Sequence, residues 1–229
     1  MIARMIGVIR RPPVTFRAVV SEPRWAGLLL LLFAVNFGVN AAFLVTPVGR
    51  QALVDQWERT ALAFGEVVDD ERYAEFQDLS RHGIAYAAVV QLIRGPLAAL
   101  ALAAILYGAL GAITGEKRTF GQVMAVVVHS TVILTLRAIM AVPIQYAQES
   151  IASPTTLAQL FPVTNASSPA ARLLAMIDLF VLWWLVVLGI GLAVLYERRA
   201  WPIAVSLAGV YAAVALALVA MMAILGGTT

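Results

Sequence analysis

The feature that most constrains this chain is a series of charge-poor apolar runs, each long enough for an α-helix to cross a bilayer, which takes about 20 residues. The runs cover residues 25–47, 84–114, 120–143, 172–196 and 200–226. Charged residues make up 13% of the chain, whereas a soluble domain has roughly 25%. The runs predict an all-α, polytopic membrane protein with about five transmembrane helices. Arg94-Gly95-Pro96 predicts a local interruption of the second span.

Two segments outside the spans have amphipathic patterns. Residues 1–24 carry five arginines and one acid, with apolar residues at helical spacing. They predict a cytoplasmic basic segment with a surface helix broken at Pro12-Pro13. Residues 48–83 carry eight acids and four arginines, and they predict amphipathic helices outside the membrane core. We therefore expect a segment 1–24 and a membrane domain 25–229 with an outer insertion at 48–83.

Basic residues near the span ends predict the orientation, because loops rich in lysine and arginine stay in the cytoplasm. The amino-terminal segment, the turn 115–119 and the turn 197–199 hold five, two and two basic residues. All three would lie on one side of the membrane. We expect the amino terminus in the cytoplasm and the carboxyl terminus outside.

Composition and motifs argue against several classes of function. The chain has no cysteine and two histidines, too few ligands for a metal site. It contains no phosphate-binding loop and no HExxH or GxSxG motif, so we expect no catalytic residues and no cofactor. The net charge of +3 is spread along the membrane flanks, which favours a lipid bilayer over nucleic acid as the partner.

Three charged residues fall inside the predicted spans, where a charge costs roughly 2.5–3.5 kcal/mol on insertion scales. Arg94, Arg137 and Asp178 would all lie on the order of 25–29 Å from the cytoplasmic span ends at ~1.5 Å per residue. One hypothesis is that Asp178 pairs with Arg137 or Arg94. Because two cations then face one anion, an anionic lipid, a substrate group or a nearby polar residue would complete the network; the polar candidates are Gln91, Gln145 and Glu149. The alternative is that the arginines extend to the headgroups and Asp178 lies at a helix start.

Polar and small residues within the spans suggest packing sites. His129 lies near the middle of the third span, where a structural hydrogen bond to Ser130, Thr131 or a neighbouring helix is favoured over a proton relay. Small residues recur on the second span and allow close helix approach; they are Ala104, Gly108, Gly111, Ala112 and Gly115. The sequence leaves open whether they pack internally or form a homo-oligomer.

Three stretches resemble the Yip-domain family. Residues 11–17 read RPPVTFR and residues 22–25 read EPRW, which is similar to the family's basic lead into its first span. Residues 115–122 read GEKRTFGQ, which resembles the junction between its second and third spans. Residues 178–183 read DLFVLW, which resembles the opening of its fourth span.

The resemblance implies five spans and a cytoplasmic amino terminus. Eukaryotic relatives are associated with Rab GTPases and Golgi traffic. This chain lacks their long polar amino-terminal tail and looks like the bacterial branch, some members of which are associated with ABC-type exporters. The resemblance thus implies an accessory protein of a bacterial inner (plasma) membrane.

Two functions follow as hypotheses. The first is a non-catalytic accessory or scaffold protein that binds other membrane proteins, including ABC-type exporter subunits. The alternative is a small transporter or channel subunit that uses Arg94, Arg137 and Asp178. A membrane enzyme would need a nucleophile or metal site, which the sequence does not suggest.

Overall fold

The computed structural model describes residues 1–116, 118–161 and 168–225. Within these residues the chain forms helices and no β-strand. The helices are α1 Ile2–Arg10, α2 Pro12–Ser21, α3 Ala26–Leu44, α4 Pro47–Ala63, α5 Asp70–Ser80, α6 Gly83–Leu92, α7 Ala98–Thr114, α8 Phe120–Ser130, α9 Val132–Ala147, α10 Leu157–Leu160, α11 Pro169–Met176, α12 Leu179–Leu195 and α13 Ala200–Leu225, with a π-helical turn at Ile93–Leu97.

The long apolar helices confirm an α-helical polytopic membrane protein. In the described part of the chain, four helical stretches are long and apolar enough to cross a membrane: Ala26–Leu44, Gly83–Thr114, Phe120–Ala147 and Ala200–Leu225. A shorter apolar helix, Leu179–Leu195, accounts for the remaining predicted span. The predicted end of the fifth span, Gly226, lies outside the described residues.

The third and fourth spans differ in detail from the sequence prediction. The third continues through Pro143 to Ala147 instead of ending at the proline. The fourth does not begin at Arg172, because the chain leaves the helical conformation at Ile177 (φ −88°, ψ 110°) and α12 starts only at Leu179. These residues separate the short helix α11 from the apolar helix α12.

Pro96 does not break the second span. A proline inside an α-helix removes a backbone hydrogen bond and its ring collides with the preceding turn. Here Pro96 lies in the π-helical turn Ile93–Leu97, which joins α6 to α7 within one continuous helix. The wider turn makes room for the ring, so the predicted interruption is a local widening of the helix.

The amino-terminal segment forms two short helices that meet at the predicted break. Pro12 occupies the first turn of α2, where its missing N–H costs nothing. Val8 of α1 and Phe16 of α2 are fully buried. Ile2 and Ile6 are 68% and 50% exposed. The α1 helix therefore presents apolar side chains both to the protein and away from it.

The structure divides into two compact units, which we describe separately. The first comprises the described residues among Met1–Asn36, Val89–Arg137 and Phe180–Gly209. Its core is built around α8, in which every residue from Val123 to Ser130 is buried. Phe16, Leu188 and Leu192 belong to the same apolar cluster.

The second unit comprises the described residues among Phe37–Ala88, Ala138–Leu179 and Val210–Thr229. Its helices α4 and α5 pack through a small cluster of Val54, Ala61 and Phe76, joined by Trp57. The Trp57 ring lies 5.9 Å from Phe76 and 5.2 Å, edge-on, from Tyr86. This confirms the amphipathic helices predicted for the acidic segment.

Candidate functional site

The turn between α7 and α8 is built from local capping interactions. The α7 helix ends at Gly115, whose φ of +69° is the left-handed conformation that glycine adopts at least cost. The Thr119 hydroxyl accepts from the Gln122 backbone N–H, and the Gln122 side chain accepts from the Thr119 N–H. This capping box starts α8. Lys117, which the sequence places in this motif, lies outside the described residues.

An ion network, the polar junction, links this turn to the turn between α12 and α13; its described members are Glu116, Arg118, Glu197 and Arg198. Arg118 donates to Glu116 at 2.8 Å and to Glu197 at 3.2 Å. Arg198 lies 3.6 Å from the second oxygen of Glu116. The hydrogen bond to Glu116 raises the pKa of Arg118 above its ordinary value, despite the opposing effect of burial. The two turns are therefore held together by charge.

Two further contacts lie at the same end of the first unit, one from α2 to α8 and one between α7 and α8. The Gln122 side chain donates to the Val20 carbonyl at 3.3 Å. The Phe120 ring packs edge-on against Tyr107, with 6.0 Å between centroids. The residues of the GEKRTFGQ stretch therefore fix helix ends, and their described side chains hold no group of three metal-binding residues.

Asp178 lies in a buried hydroxyl-lined site in the second unit. It is 3% exposed, and its Oδ2 accepts from Ser153 at 2.7 Å and from Thr155 at 2.8 Å. The Leu179 N–H donates to the Thr155 carbonyl, so the loop is bound to the start of α12. Ser153 and Thr155 were not among the predicted site residues, since their partner is more than 20 residues away and no periodic pattern marks them.

The two intramembrane arginines lie in the first unit in different environments. Arg94 is exposed on the π-helical turn, and Arg137 is half-buried on α9. The exposed position of Arg94 suits a side chain that extends to headgroups. The pairing of Asp178 with Arg137 or Arg94 stays a prediction.

The glutamines proposed to complete that network have separate surroundings. Gln145 donates to the Ile151 carbonyl at 2.7 Å and thus holds the loop that follows α9. Gln91 is half-buried on α6. Neither observation tests the predicted charge network.

His129 is 2% exposed, in the core of the first unit. Its Nδ1 lies 2.8 Å from the Ala125 carbonyl oxygen. Because a carbonyl only accepts, Nδ1 carries the proton and donates. The Ser130 hydroxyl, an expected partner of His129, instead donates to the Val127 carbonyl and accepts from Trp184.

The small residues of α7 face outward. Ala104, Gly108 and Ala112 are exposed, and a Cβ added to Gly108 or Gly111 would meet nothing within 4 Å. Gly115 serves as the helix cap. By contrast, a Cβ on Gly191 of α12 would lie 2.6 Å from Val126 and 2.9 Å from Phe16.

The fold and these sites define an α-helical integral membrane protein whose polar residues hold helix ends and loops. The family model described as the Yip1 domain matches residues 6–222, nearly the whole chain. The chain therefore belongs to the Yip1-domain family, as its sequence motifs predicted. No curated protein and no solved structure matches it.

Proposed function

We propose that this protein is a non-catalytic membrane adaptor that binds the transmembrane helices of another membrane protein. The observation that supports this most is the outward face of α7, where Ala104, Gly108 and Ala112 are exposed. Lipid tails gain nothing from such residues, whereas a second helix can approach their backbone closely. The same face would also accept α7 of a second copy, so a homo-oligomer is the competing occupant.

The polar junction supports an adaptor in a second way. Its charges are used to join turns, and the Glu197 side chain remains 79% exposed. A surface of mixed charge at the ends of the spans suits a partner's loops more than chemistry on a substrate. We place this surface in the cytoplasm of a bacterial cell, with the chain in the inner membrane and the carboxyl terminus outside. The family's bacterial branch makes an ABC-type exporter the first partner to test.

Site-specific photocrosslinking at native expression tests the adaptor. A photoreactive residue in place of Gly108 should crosslink to a defined membrane protein, whereas one in place of Val210, also exposed on an apolar helix, should label mainly lipid. Gly108→Ile should abolish the crosslink from an adjacent reporter at Ala104 without lowering the melting temperature. Labelling of lipid alone from both helices would contradict the proposal, and a crosslink to a second copy alone would replace the adaptor by a homo-oligomer.

The alternative, a small transporter or channel subunit, is favoured by one observation. A π-helical turn carries the exposed Arg94 in the second span, and π turns occur frequently at functional sites. Flux of ions or small solutes into liposomes reconstituted with the pure protein tests it. Flux through the wild type that is lost in Arg94→Gln, Arg137→Gln and Asp178→Asn would favour the transporter over the adaptor. Wild-type flux no greater than that of empty liposomes would contradict the transporter.

A further inference from the structure

A cleft of about 720 Å³ opens in the first unit beside the amino-terminal helices. Its lining comes from Met1 and α1, from the connection into the first span and the first turn of α3, and from α8. Arg4, Arg24, Trp25 and His129 are among the lining residues. The volume falls in the range of sites that hold small molecules, roughly 300–1,000 Å³.

The rim of the cleft carries an excess of positive charge. Arg4 donates to the Glu22 carboxylate at 2.9 Å and to the Glu22 carbonyl at 3.1 Å. Arg24 makes only a long 3.5 Å contact with the same carboxylate, and 82% of its side chain is exposed. Two guanidinium groups thus surround one carboxylate. Since each guanidinium has five N–H donors, both retain donors for an anion.

His129 supplies a hydrogen-bond acceptor in the wall of the cleft. Its side chain is almost entirely buried, and Nδ1 is occupied by the Ala125 carbonyl. With the proton on Nδ1, the other ring nitrogen, Nε2, presents a lone pair. Among the residues that the structure describes, none is hydrogen-bonded to Nε2. Nε2 is not enclosed by the protein, and His129 lines the cleft, so a ligand there with an O–H or N–H group can donate to it.

The surroundings of the cleft are those of a membrane interface. Ile2, Ile6 and Ile9 of α1 are exposed at i, i+4 and i+7, which is the apolar face of an interfacial helix. Leu30, in the first turns of the first span, is 67% exposed. These exposed apolar side chains favour a position of the cleft mouth at the membrane interface, where headgroups meet acyl chains.

We propose that the cleft binds the headgroup of an anionic phospholipid whose phosphodiester carries a hydroxylated alcohol, the chemistry of phosphatidylglycerol. The phosphate lies between Arg4 and Arg24, and a headgroup hydroxyl donates to Nε2 of His129. The acyl chains remain in the bilayer along the exposed side of the first span. The Met1 ammonium, Arg4 and Arg24 outweigh Glu22, so the charge of an anionic lipid is favoured here, whereas a zwitterionic lipid would leave that excess uncompensated.

Native mass spectrometry of the purified full chain tests the site with three lipids. Phosphatidylglycerol has both features, phosphatidylmethanol has the same charge without the hydroxyl, and phosphatidylethanolamine is zwitterionic. The wild type should bind phosphatidylglycerol about tenfold more tightly than either of the others, the factor expected for one additional charged or buried hydrogen bond. Equal binding of all three lipids would overturn the proposal.

Two variants separate the two contacts. Arg24→Gln should weaken phosphatidylglycerol and phosphatidylmethanol alike, by about five- to tenfold. The matched control Arg17→Gln removes the same charge from an exposed arginine of α2 outside the cleft and should change neither. If Arg17→Gln weakens binding as much as Arg24→Gln, the attraction is non-specific and the site does not exist.

His129→Asn and His129→Gln form the second pair. The asparagine amide occupies the position of Nδ1 and retains the bond to Ala125, so the variant lacks only the free acceptor. It should bind phosphatidylglycerol and phosphatidylmethanol equally, while His129→Gln, which places an amide near Nε2, should retain part of the preference. A preference unchanged in His129→Asn would overturn the role of His129.

A water-soluble probe identifies the source of the phosphate group. Glycerol 3-phosphate at concentrations equal to those of the lipid should not displace phosphatidylglycerol, because it lacks the acyl chains that remain in the bilayer. Displacement at equal concentration, lost in Arg24→Gln, would overturn the lipid and make the site one for a soluble phosphate ester.

Discussion

The third and fifth spans have similar apolar sequences but very different surroundings in the structure. Across the apolar stretch of each span, 61% of the third span is buried within the protein and 11% of the fifth. Both spans are apolar because both lie in lipid or protein, and a bilayer is as apolar as a protein core. Hydropathy therefore identifies a span without indicating whether protein or lipid surrounds it.

Small residues show the same difference within the first unit. Gly191 of α12 allows close approach to Val126 and Phe16, whereas Gly108 of α7 faces open space. Both glycines lie in apolar helices, and sequence alone treats them alike. A larger side chain should therefore be tolerated at the outward-facing glycine and not at the enclosed one.

The largest effect is expected for Gly191→Leu. Even its Cβ would lie 2.6 Å from Val126, so the buried core around α8 must move, which costs about 3 kcal/mol or more. The control Gly108→Leu enters open space, and a leucine has a better helix propensity than glycine. The melting temperature in detergent should fall for Gly191→Leu alone. Melting is monitored by the loss of the monodisperse peak in size-exclusion chromatography. Equal losses in both variants would contradict the distinction.

Asp178→Asn should have the next largest effect. The buried carboxylate accepts from Ser153 and Thr155, and hydrogen bonds to a charged group are worth about 1.5–3 kcal/mol each. Arg94→Gln alters an exposed side chain and should change stability by less than about 0.5 kcal/mol. The measurement is the same detergent melt.

A double-mutant cycle then tests the predicted ion pair of Asp178. If Asp178 pairs with Arg137, the double variant Asp178→Asn with Arg137→Gln should recover about 0.5–3 kcal/mol relative to the sum of the single losses. Additive losses would exclude the pair. The same cycle with Arg94 should be additive if Arg94 extends to the headgroups.

The smallest effects are expected at two turns with left-handed residues. Gly115→Ala places a Cβ at φ +69° and should cost about 1 kcal/mol. Glu197→Gly relieves the same strain at φ +53° but loses the exposed ion pair with Arg118, worth about 0.2–1 kcal/mol. The two terms nearly cancel, so its melting temperature should stay within a degree or two of the wild type by the usual scaling. A large loss in Glu197→Gly would show that the polar junction contributes more than its exposure suggests.

Local features were predictable because the residues that cause them are adjacent in the chain. The break at Pro12 and the start of α8 at Thr119 follow from one helix turn of sequence, and each span follows from one continuous apolar run. The π-helical turn was only partly predictable. Pro96 indicates a disturbance, but whether the helix breaks or widens depends on the turns on either side.

The partners of individual polar residues were not predictable. The bonds from Ser153 and Thr155 to Asp178 join residues more than 20 positions apart, and the contact between Gln122 and the Val20 carbonyl spans about 100 positions. No periodicity links such positions. His129 differs, because its Nδ1 bonds the Ala125 carbonyl one helix turn earlier; only its place in the wall of the cleft depends on the tertiary structure.

The sequence by itself determined that this protein is helical and membrane-spanning, and it indicated its family. Prolines and capping residues act over one or two helix turns and apolar runs over one continuous segment, and the bilayer requires a backbone that satisfies its own hydrogen bonds. The tertiary structure decided which apolar faces are enclosed, which glycines are needed for packing, and that Arg4, Arg24 and His129 line one cleft. Those outcomes depend on distances between helices, and such distances are set by side-chain packing that no single stretch of sequence contains.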